Sequence, residues 1–210
     1  MNVRTDLAPS EGLRKDHRGR PCTPFLRERV LRSAAVLFAQ KEFDRVLIDE
    51  IAARAGVGKG SVYRQFGSKE ELYAAVVIEG FAQLQGEIRT ALAGASTVRD
   101  QVATIVRHSL AYFWSRRQFF ALLHDPKALP RRQERLYHAQ RHEFTELIGS
   151  VLRDGVERGL LRSGLDTRVA AEALLGMMRG INRYCRDYIT PEAAVPILVD
   201  IFIGGCAPTP

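Results

Sequence analysis

Residues 48–72 constrain this chain more than any other stretch. Ile48, Ile51, Ala52 and Ala55 recur at i, i+3, i+4 and i+7, which is one face of a short helix. Gly56 ends it, because glycine accepts the left-handed backbone of a helix terminus. A second short helix then carries Val62, Tyr63 and Phe66 and stops at Gly67. Ser68 opens a third helix, with Glu71 three residues on, the pairing of a capping box. Leu72, Ala75, Val76 and Gly80 carry an apolar stripe along it to about Ala93. Two short helices around a tight turn have the spacing of a helix-turn-helix, whose second helix enters a DNA major groove. A plain helical hairpin shares that spacing.

Side-chain chemistry favours the first of these readings. Ala52 and Ala55 are small enough for a crossing helix to pack close, and Val57, Val62 and Phe66 can fill the seam. Lys59, Gly60, Ser61, Tyr63 and Arg64 are left pointing outward. Lysine and arginine bind phosphates or guanine edges, and hydroxyls suit phosphate oxygens. Ser68 and Lys69 begin a helix whose free N–H groups can hold a phosphate. The chain carries 31 basic and 24 acidic residues, a formal charge of +7, and that excess is spread along its length. Locally, no acid stands between positions 55 and 69, while Lys59, Arg64 and Lys69 are basic. Such a stretch can approach phosphates without repulsion; a solvated surface would have the same composition.

The rest of the chain reads as helix. Residues 1–23 lack apolar periodicity and form an expected flexible basic tail. Its Arg14, Lys15, Arg18 and Arg20 suit either a minor-groove arm or a tail without specific contacts. Leu26, Val30, Ala34, Leu37 and Phe38 define a first helix. Further helices are expected from Val98 through Phe113, over residues 131–158, from Asp166 or Thr167 through Tyr188, and over residues 191–202. A short apolar turn is expected at 119–123. Pro196 either kinks the last helix or moves its start to Val195. The total is about nine helices and no convincing strand, an all-α chain. It is expected to divide into a helix-turn-helix unit over residues 24–80 and a larger helical unit over residues 81–210, in which the ligand-binding and dimerisation sites implied by the resemblance given below would lie.

The run from Ile48 and Asp49 through Ala52, Ala55, Gly56, Val57, Lys59, Gly60, Ser61, Tyr63, Arg64, Phe66, Gly67, Ser68 and Leu72 closely resembles the DNA-binding domain of TetR/AcrR-type transcriptional regulators. Ala34, Ala35, Leu37, Phe38 and Phe43 match that family's first helix and the loop after it. The resemblance covers about residues 25–80. It implies DNA contacts at Lys59, Ser61, Tyr63 and Arg64, with Tyr63 and Lys69 at positions that touch phosphates and Arg54 as a further candidate. Four departures stand out. Gly58 replaces a common Ser or Thr cap, Val46 and Leu47 replace hydroxyl residues, Gln65 stands where His is frequent, and Asp44 stands where Gly or a neutral polar residue is usual.

The resemblance also implies a homodimer, a small-molecule effector and operator DNA as partners. Ala173, Gly176 and Gly180 form a small-residue stripe, and Ile197, Leu198, Ile201 and Phe202 line the last helix. Two copies of this helix pair would make a four-helix bundle, and the same side chains also suit packing within one subunit. Candidate ligand residues are His108, Tyr112, Phe113, Phe120, Phe144, Met177, Met178 and Asn182, most of which also suit a core. Glu134, His138, His142 and Glu146 recur every four residues, but one helix face cannot complete a tetrahedral metal shell, and a salt-bridged face is the reading taken. No cofactor is expected. Phosphate loops, nucleophile elbows and paired Glu-x-x-His motifs are missing, so an enzyme is not expected either.

No run of 18 apolar residues and no signal-like N-terminus is seen, and three widely spaced cysteines suggest no disulfide framework. The expected setting is the cytoplasm. The sequence points to a ligand-responsive transcriptional regulator, most simply a repressor released from a near-palindromic operator. The competing reading is a helical interaction protein whose degenerate reader no longer binds DNA specifically.

Overall fold

Capping signals and apolar periodicity divide the chain into helices, and the computed structural model, which describes residues 25–116 and 131–208, bears this out. Eight α-helices and one 3-10 turn are present among those residues, and no strand. The helices are α1 (Leu26–Gln40), α2 (Ile48–Ala55), α3 (Lys59–Phe66), α4 (Lys69–Leu92), α5 (Val98–Ser115), α6 (Arg131–Glu157), α7 (Thr167–Tyr184) and α8 (Pro191–Cys206). The 3-10 turn, Phe43–Arg45, was not anticipated. The basic tail and the apolar turn expected at 119–123 lie outside the described residues.

The caps work as their residue types require. Ser68 accepts from the Glu71 N–H at 3.1 Å and Thr97 from the Asp100 N–H at 3.0 Å. Asp166 accepts from the N–H groups of Arg168 and Val169, both at 3.0 Å. Thr190 and Pro191 start α8 together. That helix runs unbroken through Pro196 to Cys206, so it neither begins near Val195 nor stops at Phe202. Proline removes one donor bond, and the continuous burial of Ala194, Val195, Leu198, Val199 and Phe202 holds the segment helical despite it. Tyr188, read as the end of α7, instead lies in the turn beyond Tyr184 and is exposed.

Two large hydrophobic cores form, with a small cluster of Ala74, Ile78 and Tyr137 beside them. The first joins α1, α2, α3 and the start of α4 through Val30, Phe38, Ile51, Val62, Phe66 and Leu72. Phe38 is fully buried, and the Tyr73 ring meets it edge-on at 4.7 Å. Burial pushes the Tyr73 phenol up to about 12. The second core joins α4 through α8 around Leu84, Ile88, Ile105, Phe144, Leu174 and Leu198. Helix α4 is shared: Leu72, Tyr73, Val76 and Val77 belong to the first core, and Phe81, Leu84 and Ile88 to the second. Each large side chain buried this way contributes about 1.5–3 kcal/mol, so α4 is held in both cores.

Helices α6 and α7 are joined by a polar clasp. Arg141 donates to both Glu172 carboxylate oxygens, from Nη1 at 2.8 Å to Oε1 and from Nη2 to Oε2. Thr145 Oγ1 donates to Glu172 Oε1 at 3.0 Å. The Arg141 guanidinium, helped by the Thr145 hydroxyl, holds the Glu172 carboxyl below its ordinary value of 4.5. A depressed carboxyl stabilises the fold above its unfolded value, and that contribution is lost as pH falls through the lowered folded value. Wild type should therefore unfold at a higher temperature than Glu172→Gln at pH 7, with the gap closing toward pH 3. An equal gap at both pH values, followed by circular dichroism, would contradict this role for the clasp.

Candidate nucleic-acid interface and ligand cavity

Gly56 makes the sharp turn between α2 and α3. Its φ is 63°, the left-handed region where a side chain is strained. The Arg29 guanidinium from α1 closes the end of α2, donating from Nη2 to the Ala55 carbonyl at 2.5 Å. A cation there suits the negative end of the peptide dipoles. A Cβ at position 56 would also stand 2.7 Å from Arg29 Nη2, so a side chain there would push the guanidinium off the Ala55 carbonyl. Val62 and Phe66, 1% and 8% exposed, fasten α3 to the first core. At 3.6 residues per turn, their burial turns Lys59, Gly60, Tyr63, Arg64 and Gln65 to solvent. Tyr63 is 42% exposed, unusual for a large aromatic side chain, and Ser61 is half-buried beside it.

Charge on this face is arranged by the neighbouring elements. Lys59 Nζ stands 2.9 Å from Asp49 Oδ2, and this hydrogen bond raises the lysine's affinity for its proton. Arg64 Nη2 reaches Ser61 Oγ at 3.4 Å. Arg54 is exposed on α2. Lys69 is half-buried and turns toward the 3-10 turn, with Nζ 3.4 Å from the Asp44 carbonyl and 4.4 Å from the centre of the Phe43 ring. Leu47, lacking a hydroxyl, gives α2 no side-chain cap; Glu50 compensates by accepting the Leu47 N–H at 3.3 Å and pairing with Lys41 at 2.7 Å. Sequence spacing did not reveal Asp49, Arg29 or Glu50. Asp49 meets Lys59, Arg29 meets the Ala55 carbonyl and Glu50 meets Lys41 across 10, 26 and 9 residues, outside the i+3 and i+4 pairs that a helix makes legible.

A cavity of about 50 Å³ lies in the second core, between α4, α5, α6 and α7. Phe81, Phe113, Tyr137 and Phe144 form aromatic walls, and Arg141 and Arg179 add two guanidiniums. Of the expected ligand residues, Phe113, Phe144 and Met178 line this cavity. Tyr112 lines a different groove, between α1, α4 and α5, where its buried hydroxyl lacks a hydrogen-bond partner. Asn182 is 2% exposed, and neither amide atom is hydrogen-bonded. His108 and Met177 are half-buried and do not border the cavity, and Phe120 lies outside the described residues. Glu134 and His138 stand 3.9 Å apart, His142 is exposed, and Glu146 pairs with Arg153 at 3.3 Å, the salt-bridged face expected of them.

The outer faces of α7 and α8 are apolar. Val169, Ile197 and Ile201 are 64%, 49% and 62% exposed, and Ala173 and Gly176 are exposed beside them. A Cβ on Gly176 or Gly180 would meet nothing within 4 Å. Leu198 and Phe202 turn the other way, into the subunit's own core at 2% and 5% exposure. They therefore contact their own chain, and the outward pair on α8 is Ile197 and Ile201.

Comparison with known proteins agrees with this architecture. Residues 30–76 match the family of bacterial regulatory proteins called tetR, and residues 95–187 match the tetracyclin repressor-like C-terminal domain. The HTH-type transcriptional repressor KstR2 of Rhodococcus jostii is 30% identical, over 69% of this chain and 72% of its own. The regulator PfmR of Thermus thermophilus superposes with a TM-score of 0.67 at 26% identity, covering 84% of this chain and 97% of its own. FadR of Bacillus subtilis, solved in complex with stearoyl-CoA, shares the fold at a TM-score of 0.71 and 15% identity, over 85% of this chain and 98% of its own. The molecule is thus a helix-turn-helix transcriptional regulator. It belongs to the tetR family.

Proposed function

We propose that this chain is a dimeric, ligand-responsive repressor that reads a near-palindromic operator through α3. The observation that carries the reading is the outward face of α3, where Lys59, Tyr63 and Arg64 project from a helix anchored by Val62 and Phe66. Arg54, Ser61 and Lys69 flank it, and Gly60 lets DNA backbone approach closely. One such helix contacts only a few base pairs, so two must act together with half-site centres about 34–36 Å apart or slightly more. The exposed stripe of Val169, Ala173, Gly176, Ile197 and Ile201 suits a second copy of the same two helices.

The effector is proposed to occupy the aromatic cavity. Its walls suit acyl carbons and the exposed Arg179 guanidinium suits an anion, the two halves of an acyl-CoA such as the stearoyl-CoA bound to FadR, while Arg141 stays on Glu172. At about 50 Å³ the cavity holds only a few carbons, so a larger ligand must part its walls. One wall is Phe81, on α4, and α4 begins three residues after α3 ends. Displacing Phe81 moves α4, changes the spacing of the two readers, and favours a state that does not bind DNA.

Selection of duplexes from a random pool by the purified chain tests this reading. Recovery of a two-fold symmetric consensus, released by one member of an acyl-CoA series of graded length, is the expected result. A pool that never enriches would contradict the reading and favour an interaction protein with a degenerate reader.

A further inference from the structure

Sequence order places no acid between positions 55 and 69, yet the fold brings one there in space. The Asp49 carboxylate, from the first turn of α2, lies 2.9 Å from the Lys59 ammonium at the opening of α3. Both side chains are more than half exposed, so packing does not force them together. Their attraction has a local cause. A lysine in the first turn of a helix faces the positive end of the peptide dipoles, and a carboxylate beside it offsets both. The acid is nevertheless misplaced for simple affinity, because it stands on a face that must meet phosphates.

We infer that Asp49 is a specificity-determining residue, which screens Lys59 from nonspecific DNA and so sharpens the preference for the operator. The inference rests on the proposed reading role of α3. Nonspecific binding is driven by counterion release, one phosphate for each cation made available. Paired with Asp49, Lys59 presents almost no net charge to an arbitrary phosphate. At the operator, shape brings the same ammonium against a fixed acceptor. Its three N–H donors allow it to keep Asp49 with one while giving another to a guanine edge or phosphate. Asp49 then aims Lys59 as well as screening it. The carboxylate lowers affinity for all DNA, but lowers it most where Lys59 has no acceptor of defined position.

Asp49→Asn and Asp49→Glu in the full chain test this, by fluorescence anisotropy from about 50 to 300 mM salt, the range where counterion release is measurable. Two probes are used: a random-sequence duplex and the operator selected by the wild type. Asp49→Asn should bind the random duplex about three-fold more tightly, the scale of one exposed ion pair. Its plot of log affinity against log salt should steepen by about 0.9, one more phosphate neutralised. Operator affinity should stay level or fall, and Asp49→Glu should behave as wild type. An unchanged salt slope on the random duplex, or an equal gain on both probes, overturns the inference while leaving the reader intact. Weaker binding to both probes together with a lower thermal midpoint assigns Asp49 a structural role and overturns it too. A wild type with no preference for any duplex overturns the reader itself along with the inference.

Discussion

Replacing Lys59 and Tyr63 together with alanine should weaken operator binding about a hundred-fold, since each base or phosphate contact of this kind carries about 1–3 kcal/mol. The fold should survive, because both side chains are exposed and the anchors beneath them, Val62 and Phe66, remain. The two losses should differ in kind. Removing Lys59 takes away a cation and should flatten the salt dependence by about one phosphate. Tyr63 carries no charge, so Tyr63→Phe should reproduce most of the Tyr63→Ala loss if the hydroxyl makes the contact, with the salt slope unchanged. Wild-type operator affinity in both alanine variants, with unaltered thermal unfolding, would show that α3 is not the reader.

Substituting Asp for both Ile197 and Ile201 should produce a folded monomer and lower operator affinity about a thousand-fold. These side chains are 49% and 62% exposed, so a carboxylate at either position stays in water in the single subunit. In a dimer the same positions would bury four like charges across the two-fold axis, at a cost in desolvation and mutual repulsion. Loss of the dimer separates the two readers. Linked binding exceeds a single site by a factor of about 10²–10⁴ without any new contact, and that factor is what disappears. Sedimentation should show one species of monomer mass, with helical content unchanged. An intact dimer would move the interface elsewhere on the chain.

Helix α3 was legible in the sequence because everything that makes it is local. Gly56, Gly67 and Ser68 set its limits, and the buried pair Val62 and Phe66 fixes its orientation at helical spacing. What escaped was tertiary. Arg29, Asp49 and Glu172 act through partners on other helices, and no periodicity links them. The last helix shows the limit from another side. Ile197, Leu198, Ile201 and Phe202 form one continuous apolar surface in sequence, and only packing against α5 divides it into an inner and an outer half. The cavity was half legible: Phe113, Phe144 and Met178 were anticipated as apolar residues on central helices, whereas Phe81 and Arg141 enter it only through the crossing of α4 and α6.

Chemical probing of the selected operator tests the central claim most directly. Dimethyl sulfate marks guanine N7 in the major groove and adenine N3 in the minor groove, so protection reports which groove is filled. The account predicts two patches of protected guanine N7, their centres about one helical turn apart, both lost in Lys59→Ala with Tyr63→Ala. Full guanine N7 reactivity across a bound operator, or protection that persists in the double variant, would contradict it.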